Sequence, residues 1–304
     1  MNLLIRLTPF AEISPQHPLL MLERKLCERG RPSQRFRKRM RVQFAAGVLL
    51  GMVLWLGVMI AANGFSGSLS DFERAIPAGG SLNMLFAACG SLLLDIAAVN
   101  AGLHGHVRAL LEGRQDLLRL TGQPQAAFVR AHHAAAQMRV WPAVLLLVGF
   151  RAGALICTGL AVVAWLVAAG PFMDELWSLV FISAALVSGG LLAALALLEP
   201  FWRVRATTAV GMWVSAMSVD GISVSLLAIA ALFAFWITQG LVIIALLLVS
   251  TFLFMPLVFL AIILWPLLGF SFSTLGIWGY FVVAQAWALR RVMCRLHRFL
   301  LNAR

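Results

Sequence analysis

A chain of 304 residues that is 62% hydrophobic and only 12% charged, with a formal net charge of +12, lies far outside the range of soluble domains. Its mean hydropathy of +0.92 argues against a water-soluble enzyme, and no nucleic-acid partner is expected. In so apolar a chain the positive charge reads as an orientation signal and an attraction to anionic lipids.

The segment 1–42 is strongly basic and carries Arg24, Lys25, Arg29, Arg31, Arg35, Arg37, Lys38, Arg39 and Arg41. From His17-Pro18-Leu19-Leu20 to Val42 its Leu and Phe residues alternate with Arg, which suits an amphipathic helix lying on the membrane surface. The first 20 residues show no continuous apolar core ending in a small-residue cleavage site, so the first apolar run is expected to direct insertion. Apolar runs then occupy 43–63, 81–103, 141–169 and 173–199. Each has the roughly 20 residues needed to cross about 30 Å of hydrocarbon. The connections at 64–80 and 170–175 hold only Arg74 against Asp71, Glu73, Asp174 and Glu175, whereas the segment after the second run carries Arg108, Arg114, Arg119, Arg130 and Arg139. Cationic loops resist translocation, so the basic segments, and with them both chain ends, are expected on the cytoplasmic side.

The region 222–289 is long enough for three segments, divided by Thr238-Gln239-Gly240 and by Pro266-Leu267-Leu268-Gly269. Three full crossings there would carry Arg290, Arg291, Arg295, Arg298 and Arg304 outside, against the charge rule. The sequence therefore predicts an all-α polytopic membrane protein with six transmembrane helices plus a re-entrant or broken helical segment near 239–268. The alternative is eight plain spans, with 203–221 also in the membrane, and Asp220, Arg203 and Arg205 argue against it. The organisation expected is a cytoplasmic segment 1–42, a transmembrane domain 43–289 with a cytoplasmic loop 104–140, and a basic tail 290–304.

Two ionisable residues fall deep within predicted spans, Asp95 in the second and Arg151 in the third. Each lies about 14 to 15 Å from the cytoplasmic end of its helix at 1.5 Å per residue. Equal depth and opposite charge predict that they pair, either as a packing salt bridge or as part of a substrate passage or gate. Gly47 with Gly51, and Gly149 with Gly153, have the small-residue spacing that lets helices approach closely, as at a dimer seam. Trp141, Trp165, Trp177, Trp202, Trp265 and Trp287 stand near predicted span ends, where interfacial anchors belong.

No G-x-x-x-x-G-K-[ST] phosphate loop is present, and Lys25 and Lys38 are the only lysines. Any ATP dependence must come from a partner. His104, His106, His132 and His133 are expected in the cytoplasmic loop without the H-E-x-x-H spacing of a zinc site, and read as interfacial histidines. The four cysteines, Cys27, Cys89, Cys157 and Cys294, are isolated and imply no disulfide framework. No catalytic, cofactor or metal site is expected.

In the loop, Val107, Leu110, Leu111, Leu117, Leu118 and Thr121 recur at helical spacing while Arg108, Glu112, Gln115, Asp116 and Arg119 take other faces. This amphipathic helix is closed by Gly122 and Pro124, and a second helix over 125–139 leads into the third span. The order of a basic amphipathic start, two spans, a helix of the form E-x-x-x-D-L-L-R-L-T and an R-x-W-P return resembles the membrane subunits of ABC transporters of the type 2 exporter class. In that family the sequence after the second span forms the coupling helix that seats in the ATPase subunit. Glu112, Asp116, Leu117, Leu118, Leu120 and Thr121 match it, with Arg119 in the same run, while Gly122-Gln123-Pro124-Gln125 replaces its usual T-P-L-S continuation. The stretch from Glu199 to Ala209 also looks like one in some bacterial members. The resemblance implies a permease subunit in the bacterial inner membrane, not itself an enzyme, driven by an ABC-type ATPase and working as a homodimer or with a related permease subunit. It also implies re-entrant helices before the last span. A different reading of the same layout is a membrane assembly or regulatory protein whose basic surface helices bind anionic membrane lipids or a soluble partner, with no substrate pathway.

Overall fold

The computed structural model describes residues 33–63, 81, 85–103, 125–169, 175–217, 221–254 and 264–302, and all of them are helical. Six helices result: α1 (Ser33–Asn63), α2 (Leu85–Leu103), α3 (Gln125–Ala169), α4 (Glu175–Met217), α5 (Gly221–Phe254) and α6 (Leu264–Asn302). Five of them, α1, α2, α3, α5 and α6, contain among the described residues a stretch long and apolar enough to cross a membrane. A helix meets its backbone hydrogen-bonding needs within itself, which is why uncharged apolar runs of this length adopt it. The outside of the bundle is greasy: Leu226 is 66% exposed, Ile237 61% and Phe252 76%. Water would penalise such a surface, and hydrocarbon does not.

Packing partners show that neighbours in the chain run in opposite directions. Gly47 and Gly51 of α1 meet Gly149 and Gly153 of α3 in the same order, so α1 and α3 are parallel. Asp95 of α2 meets Arg203 of α4 and Gly102 meets Thr208, Gly211 and Met212, also in a common direction. Arg151 and His133 of α3 meet Glu199 and Arg205 of α4 in reverse order, so α3 is antiparallel to α4 and hence to α2. On α6, Phe281 lies beside Arg203 and Trp287 beside Trp213, again parallel to α4.

Two seams hold the bundle closest. A Cβ added at Gly47 would collide with the carbonyl of Leu146, one at Gly51 with that of Phe150, one at Gly149 with that of Phe44 and one at Gly153 with that of Val48. These four glycines, spaced as for a dimer seam, close an intramolecular crossing of α1 on α3. A second seam joins Gly102 of α2 to Gly211 of α4, beside the fully buried Ala98, Ala206 and Ala209. In lipid, where apolar burial between helices gains little, close backbone approach and dispersion supply the attraction.

Several sequence expectations change. The helix expected over 125–139 and the third span are one 45-residue helix that runs through Pro142. The fourth span does not stop at 199, for α4 continues through Pro200 to Met217 over 43 residues. At 1.5 Å per residue both exceed 60 Å, about twice the hydrocarbon thickness. The break expected at Thr238-Gln239-Gly240 is absent, because α5 passes through it for 34 residues. Pro266 falls in the first turn of α6, where its missing N–H costs nothing, and the helix continues past Gly269. Apolar character alone carries α5 through those polar residues. Of the surface helix expected from 17 to 42, residues 33–42 belong to α1 and are continuous with the first span; residues 17–32 and the remainder of the re-entrant segment, 255–263, lie outside the described residues.

The glycine crossing yields a stability test. Gly51→Leu and Gly149→Leu should each cost several kcal/mol, at or above the usual range of about 1 to 3 for overpacking, because the obstacle is backbone and cannot move aside. Gly57 and Gly159 have nothing within 4 Å of an added Cβ, and leucine there should leave the melting temperature of the detergent-solubilised protein near wild type.

Candidate functional site

The largest buried polar feature is a line of four alternating charges contributed by three helices. Asp95 comes from the middle of α2, Arg203 and Glu199 from α4 and Arg151 from α3. Arg203 Nη1 donates to Asp95 Oδ2 at 2.7 Å, and its Nε donates to Glu199 Oε1. Arg151 Nη1 donates to the other oxygen, Glu199 Oε2, at 2.8 Å and to the carbonyl of Ala196 at 2.6 Å. The second Arg151 amine donates to Ser91 Oγ at 2.6 Å, and that hydroxyl in turn donates to the Ala87 carbonyl.

The remaining two helices of the core close over this line. Trp236 Nε1 of α5 donates to Asp95 Oδ2 at 2.9 Å. The Phe281 ring of α6 stands 5.7 Å from the Arg203 guanidinium, a cation–π contact that replaces part of its hydration. Asp95 is fully buried, and Arg203 and Glu199 are nearly so. Two positive and two negative charges cancel, so the cluster as a whole adds no net charge to the apolar interior. An isolated charge at mid-membrane costs about 2.5 to 3.5 kcal/mol on insertion scales, and serial pairing offsets that cost. Asp95 Oδ1 has no hydrogen-bond partner among the described residues.

The direct pair expected between Asp95 and Arg151 is not formed. Each takes a partner from α4, and the two are joined through Arg203 and Glu199. The sequence reading missed Glu199 and Arg203 because it ended the fourth span at 199. A signal was there: Glu199 and Arg203 stand at i and i+4 across Pro200, the spacing of a helical ion pair, and Ala206, Ala209 and Val210 extend the apolar pattern beyond them.

A second polar group lies toward the other end of α4. His133 Nε2 is 2.9 Å from the Arg205 carbonyl and 3.1 Å from Thr208 Oγ1, while Gln137 Nε2 donates to His133 Nδ1 at 3.1 Å. This geometry selects the tautomer with the proton on Nε2, since a carbonyl can only accept. His133 is fully buried and His132 packs edge-on against Phe128 at 4.3 Å, so neither is the interfacial histidine expected.

The two polar groups give α3 and α4 two points of contact. His133 and Arg151 are eighteen residues apart on α3, and their partners Arg205 and Glu199 are six apart on α4. Pro142 lies between the contacts on α3 and Pro200 between them on α4, and each proline removes a helical hydrogen bond there.

The coupling-type residues Glu112, Asp116, Leu117, Leu118, Arg119, Leu120 and Thr121, and likewise His104 and His106, lie outside the described residues. Among the described residues no group of three His, Cys, Asp or Glu side chains gathers as a metal site would require. The chemistry available to the site is thus electrostatic: it can hold α2, α3 and α4 in one register or release them.

Double-mutant cycles should place the coupling. Removing one partner of a buried pair costs about 3 to 5 kcal/mol, so Asp95→Asn and Arg203→Gln should each lower the melting temperature sharply. Combining them leaves Glu199 and Arg151 paired and should cost much less than the sum, whereas Asp95→Asn with Arg151→Gln should show the smaller coupling. Equal coupling in both cycles would contradict the observed order of charges.

No protein-family model matches this chain, and the comparisons found no similar curated protein and no similar solved structure.

Proposed function

We propose that this chain is the membrane-spanning permease subunit of an ABC-type exporter, moving its substrate by alternating access under the drive of a separate ATPase. The observation that supports this reading is the placement of the four-charge line. Its two end members sit on α2 and α3, the helices joined by the 104–124 segment that carries the coupling-type sequence. A motor seated on that segment pulls on both ends of the line at once.

Mechanically, the buried charges make a two-state element. Guanidinium and carboxylate groups in a low-dielectric interior are strongly bound when aligned and costly when separated. Intermediate registers are therefore poorly populated. Energy from the ATPase contact at Asp116, Leu117 and Leu118 would shift the balance between inward-open and outward-open arrangements by favouring one register of α2 against α3. In this reading the basic ends of the helices face the cytoplasm of a bacterial inner membrane, and a second copy or a related subunit completes the pathway.

The full chain, affinity-purified from its native membrane, should retain an ATPase bearing G-x-x-x-x-G-K-[ST] and stimulate its turnover. Substituting Asp116, Leu117 and Leu118 together should weaken that association at least about tenfold, the equivalent of one well-packed contact. Unchanged association after the triple substitution, or no ATPase at all, would favour the membrane assembly or regulatory reading.

A further inference from the structure

Where α4 and α6 end side by side, a recess of about 250 Å³ opens between them, lined by Trp213, Met217, Trp287, Arg291, Cys294 and Arg295. Its walls are of two kinds. Trp213 and Trp287 meet edge to face at 4.9 Å, and with Met217 they form an apolar floor. The guanidinium of Arg291 stands 5.6 Å from the Trp287 ring, with Arg295 one turn further along the same helix. Among the described residues no carboxylate lines the recess. Two cations over an aromatic floor make a place for an anion that carries an apolar body.

Depth identifies which anion. Phe281 lies level with the buried charges near the middle of the bundle, and Arg291 follows it by ten residues on α6, about 15 Å. That is half the thickness of the hydrocarbon core. Trp287 sits just inside this level, where its amphipathic ring is most stable, and both arginines sit where lipid phosphates lie. The volume is at the small end for ligand sites, enough for a headgroup and its nearest acyl carbons but not for a whole lipid.

We propose that this recess is a binding site for one anionic phospholipid of the adjoining leaflet, with its phosphate held by Arg291 and Arg295 and its first acyl carbons against Trp213, Trp287 and Met217. The site does not depend on the transport reading. Because it lies between the C-terminal turns of α4 and the C-terminal part of α6, an occupied recess fixes these two helices to each other.

Cys294 provides the test, since its exposed thiol lies in the wall. The full chain is placed in nanodiscs of phosphatidylcholine alone or with phosphatidylglycerol, and maleimide labelling of Cys294 is followed by peptide mass spectrometry. Phosphatidylglycerol should slow labelling about 25-fold, and the slowing should fall about fivefold for each arginine neutralised in Arg291→Gln and Arg295→Gln. Both arginines are exposed, so the variants should fold. Without any mutation, brominated phosphatidylglycerol should also quench tryptophan emission more than brominated phosphatidylcholine, and this difference should shrink in Trp287→Phe. The proposal is overturned if labelling is equal in the two lipids, if slowing persists in the double arginine variant, as a general surface-charge effect would, or if inorganic phosphate alone protects as well as the lipid.

Discussion

The arrangement of this bundle depends on one chain of charge-assisted hydrogen bonds, Asp95 to Arg203 to Glu199 to Arg151. Each inner member bonds both neighbours, so neither Arg203 nor Glu199 can be moved without leaving a buried charge exposed to an apolar interior. The contribution to stability is less than the number of bonds suggests, because desolvating four ions consumes most of the attraction between them. What the chain supplies above all is register. Apolar helices slide past one another at little cost, whereas a guanidinium displaced by one turn, about 5.4 Å, loses its carboxylate altogether.

Small residues make that register possible. Guanidinium groups reach across to neighbouring helices only where the backbones are close, and the seam of Gly102 and Gly211 with Ala98, Ala206 and Ala209 brings α2 against α4 on one side of the charges. The four-glycine crossing does the same for α1 on α3, the helix that supplies Arg151. α3 touches α4 twice, through Arg151 to Glu199 and through His133 to the Arg205 carbonyl.

The charged line and the 104–124 segment are linked through the backbone of α2 and α3, which is why the proposed function is mechanical and not catalytic. The lipid recess stands at a different place, on α4 and α6, which pack along one another from Arg203 and Phe281 to Trp213 and Trp287. Trp213 and Arg203 belong to the same helix, ten residues apart. A lipid bound at the recess would therefore hold the segment of α4 next to the one that carries the two inner charges.

The sequence by itself determined that the chain is helical, that its long apolar runs suit a membrane, that Asp95 and Arg151 are charges set within apolar helices and in need of partners, and that glycine pairs mark close helix contacts. These follow from local quantities: run length, hydropathy and spacing along one helix. Only the tertiary structure decided which charges pair, because a partner 108 residues away on another helix leaves no local trace. It also decided that the glycine seam is internal, that α4 runs on past Pro200, and that α5 passes unbroken through Thr238-Gln239-Gly240. Contacts with neighbouring helices settled the first two, whereas α5 meets the polar demand of Thr238 within its own backbone, at the carbonyls of Ala234 and Phe235. Proline and polar residues raise the cost of a helix by a few kcal/mol at most, and a buried face that satisfies them readily makes up the difference.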